Sequence, residues 1–181
     1  MQAADLSSNF FALFDLPVSF DVDLDALSAR YREAQRAAHP DKFANAPEIE
    51  RRLSVQMAAR INEAYRVLKD PLSRGRYLLE LHGVALDDAD TAFDDAFLME
   101  QMELRERLAD VKNSADPVSQ LRIIADDIAA HDKSLIMQMA GLLNEASTES
   151  LQQARSVSRK LQFFRRLNEE VDTLEDELGD Y

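Results

Sequence analysis

Apolar residues recur along this chain every three or four positions, and the residues between them are mostly charged, so amphipathic helices are expected almost throughout. A short first helix is expected from Asn9 to Phe14, capped by Ser7 or Ser8 and stopped before Pro17, with Phe10, Phe11, Leu13 and Phe14 as core anchors. Asp23 is a good N-cap for a second helix, in which Leu24, Leu27, Tyr31, Ala34 and Ala38 form one stripe. Its opposite face carries Arg32 and Arg36 one turn apart, with Arg30 beside them. Pro47 suits the first helical position of a third helix, with Glu48 and Glu50 complementing its dipole. That helix should reach about Lys69, burying Leu53, Met57, Ile61, Ala64 and Leu68. Asp70-Pro71 then starts a short fourth helix that ends near His82-Gly83. Gly75 inside it costs about 1 kcal/mol relative to alanine, so this helix is expected to be marginal.

Residues 84–93 read as an acidic connection around Asp87, Asp88 and Asp90, too poor in apolar side chains for a core. Three long helices follow, from about Asp94 to Asn113, from Asp116-Pro117 onward, and from Ser147 or Thr148 to near Leu178. In the last, Ala154, Val157, Leu161, Phe164, Val171, Leu174 and Leu178 alternate threes and fours, the seam of an antiparallel bundle. The expected fold class is therefore all-α. A helical hairpin with flanking short helices occupies residues 1–83, and an antiparallel three-helix bundle occupies residues 94–181.

Composition sharpens this picture. With 46% hydrophobic and 30% charged residues among 181, the chain has the make-up of a globular protein with one or two cores. No window approaches 18 uninterrupted apolar residues, so no membrane helix is expected, and the amino terminus lacks the pattern of a secretory leader. There is no cysteine, hence no disulfide, thiolate ligand or cysteine nucleophile; a cytoplasmic location fits. The net charge of −13 argues against nucleic acid as a partner. Residues 1–82 hold 11 Lys+Arg and 12 Asp+Glu, leaving 10 and 22 for residues 83–181, so the balances are −1 and −12. Halves so different suggest two domains with different partners.

Enzyme chemistry finds little support. Adjacent carboxylates such as Asp94-Asp95 and Asp126-Asp127 diverge by about 100° on a helix and share no reacting atom. His39, His82 and His131 lack the spacing of a zinc site, and His131 reads as a surface helix position. No glycine-rich phosphate loop occurs. No catalytic residue, metal site or cofactor is expected. Two other features stand out. Beside a sufficient core stripe of Phe97, Leu104, Leu108 and Val111 lie the surplus residues Leu98, Met99 and Met102, bordered by Glu103 and Glu106; Phe163 likewise stands beside Phe164. Surplus apolar residues mark either a partner's surface or a wide core face, and periodicity alone favours the wide core face. The second feature is His39-Pro40-Asp41, followed by Lys42 and Phe43. The proline ends a basic amphipathic helix and pushes His39 out of the α region, leaving Asp41 at the tip of a turn where it can reach a cation.

The opening Phe10-Phe11-Ala12-Leu13-Phe14, the stretch from Tyr31 to Lys42 and Ile61-Asn62-Glu63-Ala64-Tyr65 before Leu68-Lys69-Asp70-Pro71 resemble a J-domain. Tyr77-Leu78-Leu79-Glu80-Leu81-His82-Gly83, Ala96 to Glu106 and Arg159-Lys160-Leu161-Gln162-Phe163 extend the likeness over essentially the whole chain. In this combination the chain resembles the HscB family of iron–sulfur cluster co-chaperones. The resemblance implies a non-enzymatic adaptor whose J-domain binds a DnaK-like ATPase chaperone (the HscA type) and stimulates its hydrolysis. It implies chaperone-binding roles for His39, Pro40, Asp41, Arg32, Arg36 and Lys42. It also implies that the bundle binds an IscU-type scaffold protein through Leu98, Met99, Met102, Glu103, Glu106 and Phe163. Ala37 and Ala38 stand where many J-domains carry lysine or arginine, and the amino-terminal cysteine pairs of some relatives are missing. A J-domain co-chaperone for another client and a purely structural helical protein are the alternatives.

Overall fold

A computed structural model describes residues 8–86 and 93–179; the expected cap Ser7 and the acidic residues Asp87, Asp88 and Asp90 lie outside them. The described residues are helical, without strands, and contacts divide the chain into units of residues 1–81 and 82–181.

In the first unit, α1 (Phe10–Leu13) is capped by Asn9, whose side chain accepts the Ala12 N–H, rather than by either serine. α2 (Leu24–Ala38) is capped by Asp23 through the N–H groups of Asp25 and Ala26. A 3₁₀ turn, Pro40–Phe43, leads to α3 (Glu48–Lys69), where Pro47 is the capping residue and not the first helical one. α4 (Pro71–Leu81) follows, and Gly83 takes the left-handed conformation, φ 75°, as expected of a residue just past a helix end. The core gathers Phe11, Phe14, Phe20, Leu27, Ile61, Ala64, Leu68, Leu78 and Leu79. Two expected core residues are exposed instead: Leu24 at 47% and Leu53 at 48%. Leu24 is the first residue of its helix, and Leu53 lies at the edge of the α3 stripe, about 100° around the helix from the buried Ser54.

Polar pins fix the hairpin. Tyr31 stacks on Tyr65 with ring centroids 4.1 Å apart and donates its hydroxyl to Asn62 Oδ1 at 3.0 Å. Gln35 Nε2 donates to the Tyr31 hydroxyl at 2.8 Å, so α2 and α3 are joined one turn before the 3₁₀ segment. At the other end, Phe10 stacks on Tyr77 at 4.5 Å while its N–H donates to the Tyr77 hydroxyl. Arg74 is a buried cation. Its Nη1 donates to the Leu68 carbonyl at the end of α3, and its guanidinium lies 4.9 Å from the Phe20 ring centre. Burial lowers its pKa from the ordinary arginine value, with Asp70 and Asp21 opposing the shift.

In the second unit, α5 (Asp95–Asp110) is continued by a 3₁₀ turn, Val111–Asn113, before α6 (Pro117–Glu145) and α7 (Thr148–Gly179). Asp94 and Asp116 cap α5 and α6 by accepting the N–H of Phe97 and of Ser119. Phe97, Leu104, Leu108, Leu121, Ile124, Ile128, Phe164, Leu167 and Val171 form the core, with Leu174 and Leu178 packed against it at the edge. Phe164 lies at its centre, 1% exposed, edge-on to Phe97 and Phe163. Phe164→Ala is expected to destabilise the fold by about 3–5 kcal/mol, since the cavity cannot close between aromatic neighbours. A fall in the urea-unfolding free energy of less than 1 kcal/mol would show that the core is not assembled around this ring.

Candidate functional site

The turn after α2 exists because Pro40 lacks an N–H and excludes helical backbone at His39, which has φ −59° and ψ 126°. His39 Nδ1 then accepts the Asp41 N–H at 3.3 Å and so caps the 3₁₀ turn. The same nitrogen is 3.6 Å from Asp41 Oδ2, too far for a hydrogen bond. The Asp41 carboxylate is left 91% exposed, and no lysine or arginine among the described residues pairs with it. Arg32, Arg36, Pro40 and Lys42 are exposed too. The two arginines share a face, one turn apart, and neither engages an acidic side chain among the described residues. Arg30, by contrast, reaches Asp15 at 3.6 Å. The structure thus gathers all six residues that the sequence assigns to this end of the chain onto exposed positions of one helix and its following turn. Chemically this is a preorganised carboxylate beside a row of guanidinium groups, suited to a partner offering both a cation and acidic side chains.

The second candidate surface lies on α5. At about 100° per residue, Leu98, Met102, Glu106, Met99 and Glu103 occupy an arc of about 140°, centred about 170° from the core residues Phe97, Leu104 and Leu108. Met99 and Met102 are 71% and 73% exposed, and Leu98 is 40% exposed. The wide-core-face reading favoured by periodicity is therefore wrong: these side chains face away from the bundle. Phe163 departs from the expectation in the opposite direction. It is only 7% exposed, edge-on to Phe97 at 5.6 Å, with the Arg105 guanidinium 5.5 Å from its ring centre. Five of the six residues assigned to this end are thus presented to solvent, and the sixth is a core residue beneath Arg105.

Ion pairs hold α5 on its neighbours. Lys160 of α7 donates to Asp94 at 2.8 Å, with its ammonium also 4.7 Å from the Phe97 ring centre. Arg107 donates to Asp127 of α6 at 2.7 Å, and Lys112 meets Glu177 of α7. His131, expected as a plain surface residue, instead joins α6 to α5. Its Nδ1 is 3.0 Å from Glu100 Oε1, and its ring lies 5.3 Å from that of Phe164 at 9° between planes. Nothing in the spacing signals that contact, because it depends on which helix faces His131. Among the described residues no group of three or more His, Cys, Asp or Glu side chains could hold a metal ion. Among the same residues no helix is long and apolar enough to cross a membrane.

A helical hairpin presenting an unpaired His-Pro-Asp turn, with a three-helix bundle displaying a separate apolar face, is the architecture of a J-domain co-chaperone. The comparisons with known proteins agree. The model of the HSCB C-terminal oligomerisation domain matches residues 93–172. A co-chaperone protein HscB homologue of Pseudoalteromonas atlantica is 42% identical over 96% of this chain and 99% of its own length. That of Shewanella halifaxensis is 44% identical over 95% and 99%. The structure of chaperone HscB from Vibrio cholerae superposes with a TM-score of 0.86 at 42% identity, covering 94% of this chain and 99% of that one. Human co-chaperone protein HscB gives 0.85 at 31% identity, covering 97% and 86%. The chain belongs to the HscB family.

The Lys160 ammonium, and after it the Phe97 N–H, hold the Asp94 carboxyl below the ordinary carboxylate range. Because the folded value lies below the unfolded one, the stabilisation is complete above the unfolded value, about 3.9, and is lost as pH falls through the folded value. Asp94→Asn is expected to lower the urea midpoint near neutrality, with the gap to wild type closing in acid. A gap constant across the whole titration would show that the carboxylate charge contributes nothing there.

Proposed function

We propose that this protein is a co-chaperone of iron–sulfur cluster assembly, joining an ATPase chaperone of the DnaK/HscA type to an IscU-type scaffold protein. Residues 1–83 act as the J-domain, residues 84–93 as the connecting segment, and residues 94–181 as the scaffold-binding bundle. Asp41, on the turn set by His39 and Pro40, pairs with a cation of the chaperone, while Arg32, Arg36 and Lys42 meet acidic groups around it. Leu98, Met99 and Met102 anchor the scaffold, Glu103 and Glu106 select for basic groups at the rim, and Phe163 supports the face from below. The observation that carries the reading is the Asp41 carboxylate, 91% exposed on a locally rigid turn and matched by no cation of its own described chain.

Such a turn needs no catalytic group. A ligand shifts a two-state ATPase toward its active state only by binding that state more tightly, and a fixed carboxylate met by a cation present in one state supplies that difference. The bundle adds a second effect. Two binding surfaces in one chain raise the effective concentration of scaffold beside chaperone without any new contact. The exposed thioethers of Met99 and Met102 suit a surface that must fit a client's contours.

In steady-state ATPase assays with the cognate chaperone, Asp41→Asn is expected to abolish stimulation while the fold and scaffold affinity persist. Stimulation equal to wild type would refute the role of the turn. For the other surface, the triple variant Leu98→Ala, Met99→Ala, Met102→Ala is expected to weaken scaffold binding by over about 2 kcal/mol by calorimetry, the scale of apolar hot spots. These three carry the test because all are exposed; Phe163→Ala would also open a cavity in the core. Unchanged affinity in the folded variant would remove α5 from the interface.

A further inference from the structure

We infer that His131 is a positioning residue for the client-binding face of α5, acting through Glu100, and that it makes client affinity depend on pH. The inference rests on the assignment of Leu98, Met99 and Met102 to client binding. Its geometric basis is independent of that assignment.

α5 is the shortest of the three bundle helices, and its outward face is its apolar one. Its rotation about its own axis therefore decides where Leu98, Met99 and Met102 point. Three core side chains on one side, Phe97, Leu104 and Leu108, limit that rotation but leave its fine setting to the flanks. Glu100 lies on the flank, next to Met99 in sequence and about 60° around the helix from Glu103. Its carboxylate is tied to His131 Nδ1 at 3.0 Å. The imidazole is itself fixed, because its face lies parallel to the Phe164 ring at the centre of the core. A chain of contacts thus runs from the most buried aromatic ring of the bundle core through His131 to Glu100 and the apolar face.

Nδ1 and the Glu100 carboxylate lie within ion-pairing distance, and the pair is ionic when the ring is protonated. Protonation places a full positive charge opposite a carboxylate that is already ionised, which strengthens their attraction. The charged groups flanking this contact are already engaged: one turn earlier on α6, Asp127 is held by Arg107 of α5. On α7, Lys160, one turn before Phe164, is held by Asp94. Asp132 and Lys133 adjoin His131 on α6 but diverge from it by about 100° and 200°. Glu100 is therefore the carboxylate placed to respond to charge on this ring. Charge on the ring should therefore tighten α5 and favour the face competent to bind.

Three variants test this by calorimetry against the cluster-free scaffold protein between about pH 5.5 and 8. His131→Phe keeps the stacked ring and loses the pairing with Glu100. It should bind several-fold more weakly near the acid end and lose the extra pH dependence of wild type. His131→Asn keeps a polar but uncharged group at this position and should match wild type at neutral pH but lack the acid enhancement. Glu100→Gln should behave like His131→Asn. If His131→Phe matches wild type in affinity and pH profile, the inference is overturned. If instead the triple alanine variant of Leu98, Met99 and Met102 binds as wild type does, the assignment of the client face has failed, and the His131 variants then report on α5 packing alone. Thermal unfolding of each variant separates loss of fold, which would lower affinity equally at every pH, from loss of positioning, which changes the profile.

Discussion

The stack of Tyr31 on Tyr65 is the contact on which the position of the His-Pro-Asp turn depends. A proline can end a helix, but it cannot say where in space the end will lie. That is decided by how α2 is fastened to α3. The paired rings contribute about 0.5–1.5 kcal/mol beyond their buried area. They also orient the hydroxyls, so that Ser28, Gln35 and Asn62 form a polar seam around them. That seam fixes where the last two turns of α2 lie, and with them the start of the 3₁₀ turn.

The two candidate surfaces are built on opposite physical plans. At the turn, the chain places charged groups in water and leaves them unneutralised, with local backbone capping to hold their direction. On α5, it places apolar groups in water and surrounds the helix with ion pairs at its edges. In each case the side chains that would satisfy the surface are withheld from the fold: among the described residues no lysine or arginine pairs with Asp41, and Met99 and Met102 stay largely exposed. The pairs that do form, such as Arg107 with Asp127, join α5 to the bundle from its flanks, between the core face and the apolar patch. Neighbouring positions on one helix thus serve folding and recognition without competing for the same residues.

Much of this was legible in the sequence because it follows from local chemistry. Asp23, Asp94 and Asp116 cap where their side chains can reach a free N–H, and Pro71, Pro117 and Gly83 bracket helices as their backbones demand. The turn was legible for the same reason. What escaped depends on neighbours that spacing does not identify. Leu24 and Leu53 lie at the margins of their stripes, where the neighbouring element does not reach. Leu167, fully buried, fits the seam of α7 as well as Phe164 and Val171 do, and simple spacing could have included it. Phe163 and Phe164 are both buried because α7 meets two helices, whereas a single seam accounts for one. Met99 shows the converse: its angle from Phe97, Leu104 and Leu108 could have placed it outward, but a count of apolar residues could not. The pairing of His131 with Glu100, and the burial of Arg74 beneath Phe20, carry no local signal at all.

The contrast between an ionic turn and an apolar helix face has a consequence for the order in which the proposed complex comes apart. Exposed charges feel one another over a screening length of about 8 Å at physiological ionic strength, and over less as salt rises. The contact made by Asp41, Arg32, Arg36 and Lys42 therefore weakens with added salt, whereas burial of Leu98, Met99 and Met102 has no charge to screen. On the proposed reading, the ionic composition of the medium acts as a sorting variable. It loosens the grip on the chaperone while the client stays held, so the intermediate that accumulates is the adaptor with its cargo and not the adaptor with its motor.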